Sequence, residues 1–387
     1  MRTAQRIANL PPYLFAEIDR KKAIKVAQGI DVISLGIGDP DQPTPERIVS
    51  VAQSAVADPK NHQYPSYIGA KHYRDACSKW MKRRFDVEVD ADTEVLALIG
   101  SKEGIAHIFL AFVDPGDVTL VPGCGYPVYH TGGIMCGGES YFMPMTEENG
   151  FLADFESTPA DVLARAKMMF LSYPNNPTSA VANEEYFDRA IAFAKEHDLL
   201  IVHDNAYSEI GMDGYHAPSF LERPGAKDVA IELFSCSKAY NMTGWRVAFA
   251  AGNTEAINAL GTVKSNIDSG IFTAVQDAGI EAFLGEQEAE LAALNALYQR
   301  RRDLVLNALG KIGIQVPMMP KATIYVWAKV PDGYTSASFA EMVLEKANVI
   351  VAAGSAYGPS GEGYIRISLT TPDDRLEAAI ARIEQFL

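Results

Sequence analysis

Val229-Ala230-Ile231-Glu232-Leu233-Phe234 runs directly into Ser235-Cys236-Ser237-Lys238-Ala239-Tyr240-Asn241-Met242-Thr243-Gly244-Trp245-Arg246. The first six residues read as a strand, and a polar cluster follows at its carboxyl end. A lysine just past a buried strand can be held away from water, which lowers its pKa and frees its amine for imine chemistry. Ser235 and Ser237 flank Lys238, and Arg246 lies eight positions on. Neutral donors with one fixed cation suit a phosphate group better than a metal or a peptide. Taken alone, the same residues also describe an ordinary solvated lysine in a Ser/Asn-rich loop. The rest of the chain decides between the two.

Outward from that stretch, the same pattern recurs. Residues 95–99 form an apolar run ending in Gly100-Ser101-Lys102, with a helix predicted over 103–112. Residues 118–121 end in Pro122-Gly123-Cys124-Gly125-Tyr126-Pro127. Residues 167–172 end in Tyr173-Pro174-Asn175-Asn176-Pro177-Thr178, before a helix over 184–197. Residues 199–203 end in Asp204-Asn205-Ala206-Tyr207, and 247–251 give one more strand. Continuous apolar strands alternating with helices predict an α/β fold: a mostly parallel sheet with helices on both faces. In such sheets ligands bind beyond the carboxyl ends of the strands. Every polar cluster named here sits at such an end.

The flanks differ. A helix is expected over 14–28, stopped by Gly29, then a short strand breaking into Gly36-Ile37-Gly38-Asp39-Pro40. A helix over 44–56 and the aromatic loop Tyr64-Pro65-Ser66-Tyr67-Ile68-Gly69 precede a helix over 71–85. Past residue 274 a long helical stretch runs to about 309, with Arg300-Arg301-Arg302 on an expected solvated face. Strands over 323–329 and 364–369, with helices over 339–346 and 374–386, give an α+β appendage. The expected division is a large domain over 45–285 and a smaller α+β domain from 1–44 and 286–387.

A chain of 387 residues is long enough for two such cores. Its net charge of −15 argues against nucleic-acid partners and anionic membrane surfaces, so an anionic ligand must be held by local donors. The four cysteines show neither CxxC nor Cys/His metal spacing, so reduced thiols and no metal site are expected. The first residues lack an apolar leader core, and no run approaches the ~18 apolar residues of a membrane span. A cytoplasmic location is the expectation.

One ligand accounts for the strand-end residues together. Pyridoxal phosphate carries both the aldehyde that Lys238 would capture and the phosphate that Ser235, Ser237 and Arg246 would hold. Gly100-Ser101-Lys102 opens a helix whose free N–H groups also suit phosphate oxygens. Asp204 would be costly if buried unpaired, and a pyridinium nitrogen is a fitting partner. Tyr207 and the Asn176 amide are placed to donate to the ring's phenolate oxygen, and Tyr126 to stack on its face. Arg366 alternates with Ile365 and Ile367, so it faces away from them and offers a bidentate fork to a substrate carboxylate.

These motifs resemble the fold-type-I pyridoxal-phosphate aminotransferases of class I/II over essentially the whole chain. The resemblance rests on Gly-x-Gly-Asp-Pro-Asp at 36–41, Tyr-x-x-x-x-Gly at Tyr64, Tyr-Pro-x-Tyr at Tyr126, Asn-Pro-Thr at Asn176, Asp-x-x-Tyr at Asp204, and Ser-x-Ser-Lys with Arg246. It implies that Lys238 carries the cofactor covalently and that Asp204 meets the pyridine nitrogen. Tyr207 and Asn176 would meet the ring oxygen, and Gly100, Ser101, Ser235, Ser237 and Arg246 the phosphate. Tyr64 is implied to reach the neighbouring subunit's phosphate, so a homodimer is expected. Arg366 and the Gly38 backbone are implied to hold the substrate α-carboxylate. The motif's usual glycine after Asn-Pro-Thr is Ser179 here, a departure that bears on the turn.

Within the family, Leu10-Pro11-Pro12-Tyr13-Leu14-Phe15-Ala16-Glu17-Ile18, Asn61-His62-Gln63-Tyr64-Pro65-Ser66-Tyr67 and Gly100-Ser101-Lys102-Glu103-Gly104-Ile105-Ala106-His107 are similar to the bacterial branch acting on LL-2,6-diaminopimelate. Transamination of that compound with 2-oxoglutarate is therefore the expected activity. Lys102, Tyr13 and Tyr126 are the candidates for its distal end. The alternatives are an aspartate, aromatic or alanine aminotransferase, a β-lyase on the same site, or a non-enzymatic regulator reusing the fold.

Overall fold

The computed structural model describes residues 1–11 and 14–385. After a two-residue strand, β1 (Ile33–Ser34), seven strands build the main sheet: β2 (Val95–Leu98), β3 (Val118–Pro122), β4 (Glu139–Met143), β5 (Ala166–Leu171), β6 (Leu200–Asp204), β7 (Ala230–Ser235) and β8 (Ala248–Gly252). Their order is β2-β8-β7-β6-β5-β3-β4. Every pairing from β4 to β7 is parallel, and β8 alone runs against both its neighbours. This is the α/β architecture expected from the continuous apolar runs.

Side chains alternate across the sheet, as a two-residue period requires. Ala97, Met169, Leu171 and Phe234 enter one core with Trp80, Phe187 and Phe283 from the helices Lys71–Phe85, Glu184–His197 and Thr273–Leu284. Leu96, Leu98, Met168, Phe170 and Leu233 enter the opposite core with Ile105, Phe109, Tyr129 and Leu260 from Ser101–Phe112, Val128–Cys136 and Thr254–Ile267. Apart from the half-exposed edge strand β4, the sheet is buried on both faces and opens at its strand ends. From β3 the chain moves out to β4, and from β5 it moves the other way to β6, so a crevice opens above the ends of β3 and β5.

The later elements are the helix Glu288–Lys311, β9 (Tyr325–Lys329), the helix Ser336–Ala347, β10 (Val349–Ile350), β11 (Ala352–Ala353), β12 (Tyr364–Ser368) and the helix Asp373–Glu384. β11, β12 and β9 form an antiparallel sheet, while β1 pairs in parallel with β10. Ile33 and Leu35 join a third core with Leu294, Val305, Leu309, Ile324, Ile367 and Leu376. The N-terminal segment is thus packed among residues from the far end of the chain.

Three expectations change. The single helix over 274–309 is two, broken after Leu284, where a Cβ on Gly285 would lie 2.4 Å from the Glu281 carbonyl. The half-exposed edge strand β4 gave no clear apolar signal in sequence. Of the Arg300-Arg301-Arg302 run only Arg300 is solvated: Arg301 and Arg302 are 2% and 3% exposed. Arg301 donates to Asp41 at 2.7 and 2.8 Å and to Asp373 at 2.6 Å, and Arg302 to Asp213 at 2.5 Å. Carboxylates distant in sequence neutralise what looked like a solvated charge run.

Candidate active site

The strand ends converge on a cavity of about 380 Å³. Ser101 and Lys102 enter from beyond β2, Tyr126 from β3, Asn176 from β5, and Asp204 and Tyr207 from β6. Ser235, Ser237 and Lys238 come from the end of β7, Arg246 from the turn before β8, and Gly38 from the N-terminal loop. A cleft of similar size between residues 66–68 and the helix Thr254–Ile267 has a described lining with one charged residue, Asp92. The chemistry belongs to the first.

Lys238 sits in one helical turn, Cys236–Ala239, capped by Ser235, whose Oγ accepts from the Ser237 N–H at 3.1 Å. The Lys238 ammonium donates to the Gly38 carbonyl at 2.6 Å. Burial holds its pKa below the usual lysine value, with Tyr325 and Asp39 opposing part of that shift. Asp204 is buried at the end of β6, and its Oδ2 accepts from the Tyr129 hydroxyl at 2.8 Å. Its Oδ1 has no partner among the described residues. Burial pushes this carboxyl up, and the Tyr129 hydrogen bond pulls the other way.

On another side, Arg246 donates to the Thr243 carbonyl at 2.9 Å and the Ile99 carbonyl at 3.3 Å. Gly100 has φ +80°, and a Cβ there would lie 2.0 Å from the Arg246 guanidinium. Only glycine lets that cation approach the start of the helix Ser101–Phe112, whose first N–H groups have no partner within the helix. Gly100 itself shapes this cradle through its backbone and is not among the residues that line the cavity.

Arg366 lies behind the cavity wall, completely buried. It donates to Asn176 Oδ1 at 2.8 Å and to the Gly36 carbonyl at 2.6 Å, and stacks 4.0 Å from the Tyr325 ring centroid. Its Nε has no partner, and no carboxylate pairs with it among the described residues. With its oxygen occupied by Arg366, Asn176 keeps its NH₂ group for another acceptor. The Tyr207 and Tyr325 hydroxyls are 3.0 Å apart. Ser179 adopts φ +62°, the conformation glycine would favour, and is held by its own side chain. Its Oγ lies 2.6 Å from Thr323 Oγ1 and donates to the Tyr325 carbonyl at 2.9 Å.

One expected residue lies away from this site and one lies outside the described residues. Tyr64 is 88% exposed on a loop beside Phe272 and does not line the cavity. Tyr13 lies outside the described residues. Sequence reasoning gave no role to Tyr129 or Tyr325. Tyr129 was within reach, because Tyr-Pro-x-Tyr puts Tyr126 just before the helix Val128–Cys136 and Tyr129 three residues on, in its first turn. Tyr325, on β9, arrives from 118 residues beyond Tyr207, with no local signal.

The unpartnered Asp204 oxygen calls for a cationic N–H, the half-buried Lys238 amine with its lowered pKa for a carbonyl carbon, and the Gly100–Arg246 cradle for a phosphate. Pyridoxal phosphate offers all three, so the residues present fit it. Residues 30–383 match the family aminotransferase class I and II. The chain belongs to that family: it is a pyridoxal-phosphate-dependent aminotransferase.

Among its relatives, the LL-diaminopimelate aminotransferase of Moorella thermoacetica is 54% identical over 387 residues, covering 100% of this chain and 99% of that protein. The LL-diaminopimelate aminotransferase of Desulforudis audaxviator is 55% identical, covering 99% and 97%. Of solved structures, substrate-bound BacF from Bacillus subtilis superposes with a TM-score of 0.95 at 37% identity, covering 100% and 98%. An aspartate aminotransferase variant from Thermus thermophilus gives 0.92 at 28%, covering 100% of both chains.

Proposed function

We propose that this enzyme moves an amino group between LL-2,6-diaminopimelate and 2-oxoglutarate, in lysine and diaminopimelate biosynthesis. The observation that carries the substrate is the 54% and 55% identity, over nearly whole chains, to relatives bearing that name. Bound pyridoxal phosphate supplies an electron sink for negative charge developing at the substrate Cα. The chain does the rest. Lys238, its basicity lowered by burial, would hold the cofactor at rest, then take the Cα proton once the substrate amine displaces it. Asp204 would keep the ring nitrogen protonated, and Tyr207 with the Asn176 NH₂ would donate to the ring oxygen. Gly100, Ser101, Ser235, Ser237 and Arg246 would hold the phosphate, with Tyr126 against the ring. Arg366, a buried cation with no carboxylate partner among the described residues, would draw the substrate α-carboxylate to itself and the Gly38 N–H. The catalytic cycle is ping-pong, the oxo-acid product leaving before the second substrate enters. Half-reaction spectra against the diaminopimelate stereoisomers, glutamate, aspartate, alanine and phenylalanine test the reading. LL-diaminopimelate is expected to react fastest, and an aspartate or aromatic donor reacting tenfold faster would overturn it.

The exposed Tyr64 supports a homodimer in which each chain lends this tyrosine to the other's phosphate, related by a twofold axis. Mixing inactive Lys238→Ala chains with Tyr64→Phe chains is then expected to restore one intact site per mixed dimer. An active monomer at assay concentration would refute this. Among the described residues no helix is long and apolar enough to cross a membrane, and biosynthesis in the cytoplasm is the setting we infer. The division into a large part over 45–285 and a small part from 1–44 and 286–387 belongs to the same proposal.

For the distal end of diaminopimelate we propose Lys102, with Tyr126 and Tyr13. The Lys102 ammonium lies 5.9 Å from the Tyr126 ring centroid and both line the cavity. Losing one charge-assisted hydrogen bond costs roughly 1.5–3 kcal/mol, about tenfold to hundredfold. Lys102→Ala is expected to lower kcat/KM for LL-diaminopimelate by that factor and for the shorter glutamate by less. Equal losses for both, with weakened cofactor binding, would place Lys102 on the phosphate instead.

A further inference from the structure

Behind the Gly100-Ser101 turn lies a lysine that the reaction does not use. The side chain of Lys264, on the helix Thr254–Ile267, has no exposed surface. Its ammonium donates to both Asp268 oxygens, at 3.0 and 2.8 Å, and lies 3.5 Å from Glu103 Oε1. His107 Nδ1 is 2.6 Å from the same Glu103 oxygen. Glu103, His107 and Asp268 are close enough to hold a metal ion, but the Lys264 ammonium already supplies the cation between Glu103 and Asp268.

Each carboxylate has a second task. Glu103 Oε2 accepts the Ile99 N–H at 2.9 Å, fixing the turn in which Gly100 and Ser101 lie. Asp268 Oδ1 accepts the Gly270 N–H at 2.7 Å. Gly270, at φ +87°, presses on the Tyr64 loop so closely that a Cβ would lie 2.5 Å from the Ser66 carbonyl. Gln276 adds a parallel tie, accepting from the Ala70 N–H at 2.8 Å and donating to the Ile271 carbonyl at 2.7 Å. An apolar residue would fill the Lys264 site at less cost in desolvation unless the charge had something to hold.

We propose that Lys264 is a positioning residue that braces the Gly100-Ser101 turn against the 268–272 loop and, through it, the loop carrying Tyr64. Given the dimer and the role of Tyr64 proposed above, it links the phosphate turn of one site to the tyrosine serving the other.

Amide hydrogen exchange of the apoprotein tests the brace without any cofactor. In Lys264→Met, peptides covering 97–104 and 266–272 are expected to exchange about tenfold faster, the loss of one charged hydrogen bond, while those from β6 stay unchanged. The Kd for pyridoxal 5′-phosphate is expected to rise about tenfold, and Lys264→Arg to restore both readouts. Faster exchange over 266–272 alone, or equally everywhere, would overturn the proposal, as would an unchanged Kd. If Lys264→Met does not fold, Asp268→Asn removes one arm and is held to the same two-segment result. Wild-type protein that binds no pyridoxal phosphate would refute the enzymatic reading while leaving the exchange result to judge the brace.

Discussion

Lys238→Ala is expected to lower kcat by about 10⁴-fold or more, at or beyond the upper end of what a positioned base contributes. Wild-type protein with pyridoxal phosphate should be yellow and lose its visible band on borohydride treatment, with the label on the peptide containing Lys238. The alanine variant should bind the cofactor reversibly and give no labelled peptide. The structural reason is the setting of the amine: half-buried, lowered in pKa by desolvation, and pinned by the Gly38 carbonyl at 2.6 Å on the cavity wall. Activity within tenfold of wild type, or a label elsewhere in the chain, would sink the assignment.

Asp204→Asn should move activity and stability in opposite directions. Removing the charge proposed to face the ring nitrogen is expected to lower kcat/KM by about 10²–10³-fold, the scale of one well-placed electrostatic contact. The apoprotein should nevertheless become more stable at neutral pH. Burial raises this carboxyl above its ordinary value of 3.8, so the unfolded chain releases the proton at lower pH than the folded one. Stability is therefore lost as pH rises from that ordinary value through the folded one, and asparagine carries no such loss. Thermal melts of the two apoproteins should separate at pH 7 and converge under acid conditions. A less stable variant at pH 7 would show that the carboxylate is better satisfied in the empty fold than its unpartnered Oδ1 indicates.

The parts of the site legible in sequence are those announced by a strand. Lys238, Asp204, Asn176 and Ser101 each follow an apolar run within a few residues, and parallel topology gathers such ends whatever the loops do. Tyr325 was not legible, because its place beside Tyr207 depends on how β9 meets the segments that follow β5 and β6, which no local pattern encodes. Arg301 and Arg302 were misread for a related reason. Three consecutive arginines on a helix look like a solvated face until Asp41, Asp213 and Asp373 arrive from elsewhere. Ser179 shows the opposite case: it replaces a glycine, keeps the left-handed backbone, and holds the strand that carries Tyr325.

The parallel pairing of β1 with β10 has a consequence for synthesis on the ribosome. Ile33 pairs with Val349, so a strand made among the first residues waits for roughly three hundred more before its partner exists. The main sheet, from β2 to β8, can close well before then, and with it Lys238 and Asp204. The β1 segment, with Ile33 and Leu35 bare, then waits on a nascent chain, where unpaired strand edges invite wrong partners. Translation stalled before residue 349 would leave a chain with its lysine in place but no Arg366, able in principle to take up cofactor yet lacking the residue assigned to the substrate carboxylate.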